Sequence, residues 1–557
     1  MNQLLTCVVC LIITTLLSGC ATYRDDIEVG LSHAKQGEWK AAEDNLTDAL
    51  DNSQDQLLYY MEIGSLAQNQ GDFERSNTLL EKAERLSDTF LEESLSNRTW
   101  ALISNPRQSN YRGSGVERVY ISYLKSLNYL ALAEQAETLS KQRQLLDSAL
   151  VEARRIDIKL NEIRAQTPSY EQLDAKQDQA FYEKAISWLS RFYTGRLDRD
   201  KFLYRDDAWA RYMEGLQYEI SGEYDDARIS YQKAAELYQN GYAEQYNLPA
   251  VSAERAWLDT IRMMKKTGFD AAEIAQTIQA KLSPEMQETL QTYQPDSAEL
   301  VVLEHQGFVP DKSEMSLILY AEPWSYSLVL EPLHGGGRME DNDAFRWFTM
   351  VYADINPLNM IANYKAGGAW GAFSGVFTKR VILGSGIWQQ LEQSNIDTLL
   401  TQQNIRVTVP YYRRFTLDQH DTHLTVSKQI EKTDSLRMTS LADIAFQEQL
   451  ANAQRDIYES MIREFIRSWL AFRITSEVQD EGAAMLLNFI GQISVLATSA
   501  ADTRNWLTLP AQVRLTRTPL SAGKYQPTYE TNGKHFSLGE TSLKANKIKV
   551  WNLRNPY

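Results

Sequence analysis

Gly37-Glu38-Trp39 and Gly71-Asp72-Phe73 stand 34 residues apart, and a third version of the same triplet occurs as Gly222-Glu223-Tyr224. Small residues recur around each at matching offsets: Gly30 and Gly64 seven positions before, Ala42 and Ser76 five after, Ala49 and Ala83 twelve after. The third copy carries Gly215, Ala227, Tyr231 and Ala234. Such a pattern describes paired helices. A small residue lets two antiparallel helices approach closely, a glycine ends the first in a tight turn, and an aromatic fills the gap to the next pair. One copy would mean little, but three in phase specify an array that buries its apolar faces by stacking.

The spacing and composition resemble tetratricopeptide repeats, which run at this period. Between the second and third copies the chain departs from the pattern yet stays helical: Val116, Tyr120, Tyr123, Leu127 and Leu130 form one apolar stripe. A further helix spans Leu145 to Ile163, and the charges of its Glu152, Arg154 and Arg155 read as a solvated face. Beyond Pro295-Asp296 the text changes to strands, at Leu300–Leu303, Ser316–Tyr320, Tyr326–Leu330, Phe345–Tyr352, Ile405–Tyr411 and Thr422–Ser427. After two helices come Gln512–Thr516, Tyr525–Glu530, His535–Leu538 and Ile548–Leu553, with Asn532-Gly533 as a type I′ hairpin turn. The expected fold is therefore α+β and multidomain: a tetratricopeptide-like helical array over 20–295, then a β-sandwich-like domain over 296–557. Helices inserted at about 441–500 interrupt the second part, the first with Ile457, Met461, Phe465 and Trp469 on one stripe.

The chain has 557 residues and a net charge of −16, with no basic run, which argues against a nucleic-acid partner. All three cysteines, Cys7, Cys10 and Cys20, fall in the first twenty residues, so no disulfide, thiolate metal site or cysteine nucleophile is available downstream. Leu4 to Leu17 has the length of a signal-peptide apolar region, shorter than a membrane span of about 20 residues. The following Leu17-Ser18-Gly19-Cys20 resembles the lipobox of bacterial lipoproteins. That resemblance implies removal of residues 1–19, a lipid-bearing Cys20 and a protein tethered to a membrane. Ala21 stands where inner-membrane lipoproteins typically carry Asp, implying the outer membrane, facing the periplasm. The alternative reading is an ordinary signal peptide with an incidental cysteine.

Longer strings carry a wider resemblance. Tyr111-Arg112-Gly113 with Val116-Glu117-Arg118, then Ala149 to Arg155, then Asp207-Ala208 with Ala210-Arg211-Tyr212, look like signatures of a family of uncharacterised bacterial lipoproteins. Gln306-Gly307-Phe308-Val309-Pro310 and Ala501-Asp502-Thr503-Arg504-Asn505-Trp506 with Leu509-Pro510 are similar to its C-terminal signatures. Members have a tetratricopeptide-like N-terminal half and are often encoded beside outer-membrane activators of penicillin-binding proteins. The resemblance implies a cell-envelope role and no reaction. It is weakest from Glu331 to Arg414.

Motifs for chemistry are incomplete. His334-Gly335-Gly336-Gly337 matches an oxyanion-hole string of some esterases, yet no G-x-S-x-G elbow accompanies it. His420, Asp421 and His423 offer metal ligands at spacings that converge poorly, and a polar hairpin flank explains them equally. Glu340, Asp341 and Asp343 read as solvation. Trp324, Tyr326, Trp347, Tyr352, Tyr364, Trp370 and Trp388 crowd near a glycine-rich run at 366–375, as core or as rings for sugars or proteins. The uncharged stretch Gly482 to Ala500 reads as a core helix in preference to a membrane span.

The expectation is a non-catalytic lipoprotein scaffold of the cell envelope, without cofactor or metal, that binds proteins through its repeats. The rivals are a peptidoglycan- or glycan-binding module, with or without weak hydrolase activity, and a structural subunit of a secretion or surface-appendage complex.

Overall fold

The computed structural model describes residues 22–96, 109–166, 204, 206–333, 342–353, 378–382, 385, 388–389, 392, 405–413, 422–426, 433–476 and 501–556. The leader with Cys20, residues 334–337 and 420–421, the glycine-rich run and 482–500 lie outside them. The described chain is α+β, with helices up to Gln291 and open sheets from Ala298 onward.

Helices pair as hairpins. α1 (Thr22–Lys35) packs on α2 (Trp39–Leu50), α3 (Gln56–Asn69) on α4 (Phe73–Ser96), α5 (Gly115–Gln135) on α6 (Leu139–Gln166), and α7 (Ala208–Ser221) on α8 (Tyr224–Leu237). A π turn (Tyr238–Tyr242) and a short α9 (Ala243–Gln245) lead to α10 (Val251–Thr267), α11 (Ala271–Lys281) and α12 (Pro284–Gln291).

Three hairpins share one geometry. A Cβ on Gly30 would lie 2.8 Å from Leu46, one on Gly64 2.9 Å from Leu80, and one on Gly215 2.7 Å from Tyr231. In each case the partner is sixteen residues on, so the small residue marks the helix crossing. Gly37, Gly71 and Gly222 have φ of 77°, 81° and 84°, the left-handed turn that glycine adopts without a Cβ penalty. Ala42, Ala83, Ala227 and Ala234 are buried, Ala49 is half-buried, and Trp39, Phe73 and Tyr224 are half-buried at the start of each second helix.

The central sheet has the order β14-β1-β9-β8, from β1 (Ala298–Gln306), β8 (Leu436–Ser440), β9 (Gln512–Leu520) and β14 (Ile548–Asn555). β14 runs parallel to β1, and the other pairs are antiparallel. β1 is buried on both faces: Val301 and Leu303 join the core of the helices, and Leu300 and Val302 join a smaller cluster with Leu424, Val426 and Tyr529. That cluster is shared with a second sheet, β12-β11-β6-β7, built from β6 (Thr422–Thr425), β7 (Thr433–Asp434), β11 (Thr528–Thr531) and β12 (Lys534–Ser537). The third sheet has the order β4-β3-β2-β5, from β2 (Lys312–Glu322), β3 (Ser327–Pro332), β4 (Lys379–Ile382) and β5 (Ile405–Tyr412). α14 (Leu441–Ser476) leaves the central sheet after β8, and the chain returns as β9; Ile457 and Met461 pack on the third sheet. The side chains of Phe465 and Trp469 lie outside the described ones.

Several expectations change. Phe345–Tyr352 is helical, as α13 (Asn342–Trp347) followed by a π turn (Phe348–Tyr352), and not a strand. Among its described side chains Trp347, Phe348, Val351 and Tyr352 are buried, a spacing that fits one face of a helix. The stretch from Tyr525 divides into β10 (Gly523–Tyr525), which pairs with β13 (Thr541–Leu543), and β11. Pro527 between them has no N–H for a ladder. Asn532 and Gly533 do turn the β11–β12 hairpin with positive φ, at 53° and 67°.

Candidate functional site: the seam between helices and sheets

α3, α5, α7 and α10 bury most of their residues, and much of what covers them belongs to the C-terminal half. Polar groups fill this seam at four places.

At the first, two buried carboxylates grip the loop after Asp502. Glu62 on α3 accepts the backbone N–H of Leu507 at 2.6 Å and of Thr508 at 3.0 Å, and the Thr508 hydroxyl at 2.5 Å. Glu117 on α5 accepts the N–H of Trp506 at 2.7 Å and the Tyr111 hydroxyl at 2.6 Å, while closing a capping box with Ser114. The Trp506 indole N–H donates to Ser65 Oγ at 2.9 Å. Arg504 pairs with Asp55 and Asp502, each at 2.8 Å, and sits over the Tyr111 ring. Burial pushes Glu62 up to about 7, against the donors that favour its charge and with the help of the nearby Glu117.

The second is a node around Arg517 on β9, whose side chain is 0% exposed. It reaches Glu219 of α7 at 2.9 Å, Glu299 of β1 at 2.6 Å and Asp259 of α10 at 3.3 Å. Its remaining donors go to the hydroxyls of Tyr231 and Tyr212. Arg262 contacts all three carboxylates, and Arg255 pairs with Asp259 at 2.6 Å. Three guanidinium groups therefore face three carboxylates, and the burial that would raise Glu299 is outweighed by Arg262 and Arg517, which hold it down at about 2. Asp259 is held low in the same way, by Arg255, Arg517 and Arg262.

Third, Tyr123 of α5 meets His305 Nε2 of β1 at 2.8 Å. Burial, aided by the Arg554 charge, pushes His305 down to about 3, so the ring is neutral. Fourth, the π turn and α10 hold β8 by its backbone: Tyr238 donates to the Met438 carbonyl and Ser252 to that of Arg437, while Gln245 and Gln447 pair.

A separate charge cluster lies inside the helical half. Glu81, Glu84 and Glu152 bring one oxygen each within 4.8 Å of one another, the one grouping of metal-ligand spacing found among the described residues. It surrounds an ammonium: Lys125, 1% exposed, reaches them at 2.6, 2.7 and 3.0 Å. Arg155 and Lys159 complete the balance, with Glu84 held down at about 2 by the two lysines against its own burial. The helix expected to carry a solvated charged face thus turns Glu152 and Lys159 inward, because Glu84 and Lys125 on neighbouring helices supply opposite charge; Arg154 alone of that set stays exposed, against Glu223.

Of the residues singled out in the sequence, the repeat glycines and alanines sit at hairpin crossings and turns, and Tyr231 alone among the repeat positions reaches the Arg517 node. The strings around Tyr111, Glu117, Arg504 and Trp506, far apart in sequence, meet at the first contact. His423 pairs across the ladder with Glu530 at 3.0 Å. Trp347, Tyr352 and Trp388 are core, whereas Trp324 is 78% and Tyr326 45% exposed at the β2–β3 tip. Sequence reasoning missed Glu62, Glu219, Asp259, Glu299 and Arg517. A signal existed for the last: Val513, Leu515 and Arg517 alternate onto one face of β9, placing a charge at a core position.

No family model matches the chain, and no curated protein is significantly similar to it. Among the described residues no helix is long and apolar enough to cross a membrane.

Proposed function

We propose that this chain is a lipid-anchored scaffold of the bacterial cell envelope, held to the outer membrane through Cys20, facing the periplasm and acting without catalysis. On this reading the helical hairpins are tetratricopeptide-like repeats, and the two sheets sharing the Leu300–Leu424–Tyr529 cluster form a small sandwich. The observation that carries the reading is the seam. Buried charges on α3, α5, α7 and α10 are consumed by the chain's own C-terminal half, so the array braces that half as one stiff body. The surface left for partner proteins is then the outer face of the second helices and the sheets, not the inner face of the repeats. Crosslinking in intact cells followed by purification is expected to recover envelope proteins. Recovery of none, with tight sedimentation on isolated peptidoglycan, would overturn the scaffold in favour of the glycan-binding rival. That rival is favoured by one observation, the exposed Trp324 beside Tyr326, whose non-glycine φ of 50° holds the tip in a strained conformation. Cys20→Ala is expected to move the protein from the membrane fraction to the soluble one.

A further inference from the structure

We propose that the open end of the first hairpin, the start of α1 with the adjoining exposed bend at 51–53, is a surface seated on phospholipid headgroups. The inference rests on the lipid-anchor reading of Cys20 and extends it to an orientation. α1 begins at Thr22, two residues after that cysteine. Two residues reach at most about 7 Å, and the headgroup layer on each side of a bilayer is itself roughly 5–7 Å deep. A lipid-bearing Cys20 therefore leaves no linker to lift the body away from the leaflet.

The first helix is not free to swing out as a substitute linker. Ile27 packs on the main core, Leu31 and Ala34 are buried, and Gly30 sits directly under Leu46. Because α1 and α2 are antiparallel with that crossing, Leu50 lies about one turn from the level of the α1 start, and the exposed Asp51, Asn52 and Ser53 follow it. The other end of the hairpin, at Gln36 and Gly37, is 14 helical residues away, about 21 Å along the axis at 1.5 Å per residue. The two ends of one hairpin thus stand at different heights above the membrane, and partners of the scaffold are restricted to those within one molecular length of the leaflet.

A test follows from the cysteine usage, since the processed chain would hold no cysteine but Cys20, whose sulfur carries the lipid, and so no free thiol. Ser53→Cys and Gln36→Cys variants, both at exposed positions, are purified in lipidated form, labelled with a fluorophore and reconstituted into phosphatidylethanolamine/phosphatidylglycerol vesicles doped with a headgroup nitroxide lipid. The label at position 53 is expected to be quenched several-fold more than the label at 36. Twenty Gly/Ser residues inserted between Ala21 and Thr22 span about 25 Å on average and should erase the difference. Equal quenching in protein that floats with the vesicles, or a difference that survives the insertion, overturns the seating while leaving the anchor intact. Protein that does not float, with an unmodified Cys20 by mass spectrometry, overturns the anchor itself and the proposal with it.

Discussion

Glu62 is a carboxylate with three donors and no solvent, and the balance between those two facts makes the first seam contact sensitive to pH. Burial wins, so the folded chain holds this proton up to about 7, above the ordinary value of 4.5. Between those two values the native state binds more protons than the unfolded one, so this group's contribution is fully present below pH 4.5 and is lost as pH rises through 7. Glu62→Gln is expected to flatten the fall in stability between pH 5 and pH 8, measured by denaturant unfolding, making the variant compare better with the parent at pH 8 than at pH 5. An unchanged pH slope would show that Glu62 does not titrate there. Arg517 stands at the opposite extreme. Its removal leaves Glu219, Glu299 and Asp259 facing Arg262, Arg255 and, at the edge, Lys266, and breaking a buried pair in this way costs about 3–5 kcal/mol. Arg517→Met is expected to lower the unfolding midpoint accordingly, and a loss below about 1 kcal/mol, the scale of an exposed pair, would contradict the buried network.

Within single elements, the hairpin crossings depend on the absence of one carbon. At Gly215 an added Cβ would stand 2.7 Å from the Tyr231 ring, and that ring cannot retreat because its hydroxyl is bonded to Glu219 and Arg517. Gly215→Ala is therefore expected to cost about 1–3 kcal/mol, the range for overpacking. Gly222→Ala meets no atom within 4 Å, so its cost is the left-handed backbone alone, about 1–2 kcal/mol. Thermal unfolding of the two variants separates the mechanisms, since Tyr231→Phe in addition should relieve the first and leave the second unchanged. These crossings and turns were legible in sequence, because a repeated glycine at a fixed offset reports a local requirement. The strand expected at Phe345–Tyr352 was not, since aromatic and β-branched composition says less than which side chains share a face.

For the molecule as a whole, the seam predicts mutual dependence of the two halves. A fragment ending near residue 295 would expose the carboxylates of Glu62, Glu117, Glu219 and Asp259 together with the apolar inner faces of α3, α5 and α7. Residues 22–295 expressed alone are expected to aggregate or to lack cooperative unfolding, and co-expression of residues 296–557 is expected to restore solubility. A monomeric, cooperatively unfolding fragment would show that the seam joins two independent bodies.

The amino-acid sequence alone determined the helical hairpins, their turns, the passage from helices to strands near residue 295 and the Asn532-Gly533 hairpin, because each is specified by neighbours within a few tens of residues. Only the tertiary structure decided that the inner face of the helices is filled by the chain's own sheet, that Glu62, Glu117, Arg504 and Trp506 meet at one contact, and that Arg517 meets Glu219, Glu299 and Asp259 at another. Their partners stand up to several hundred residues away, and a buried charge looks the same in sequence as a solvated one until the opposite charge that neutralises it is brought alongside.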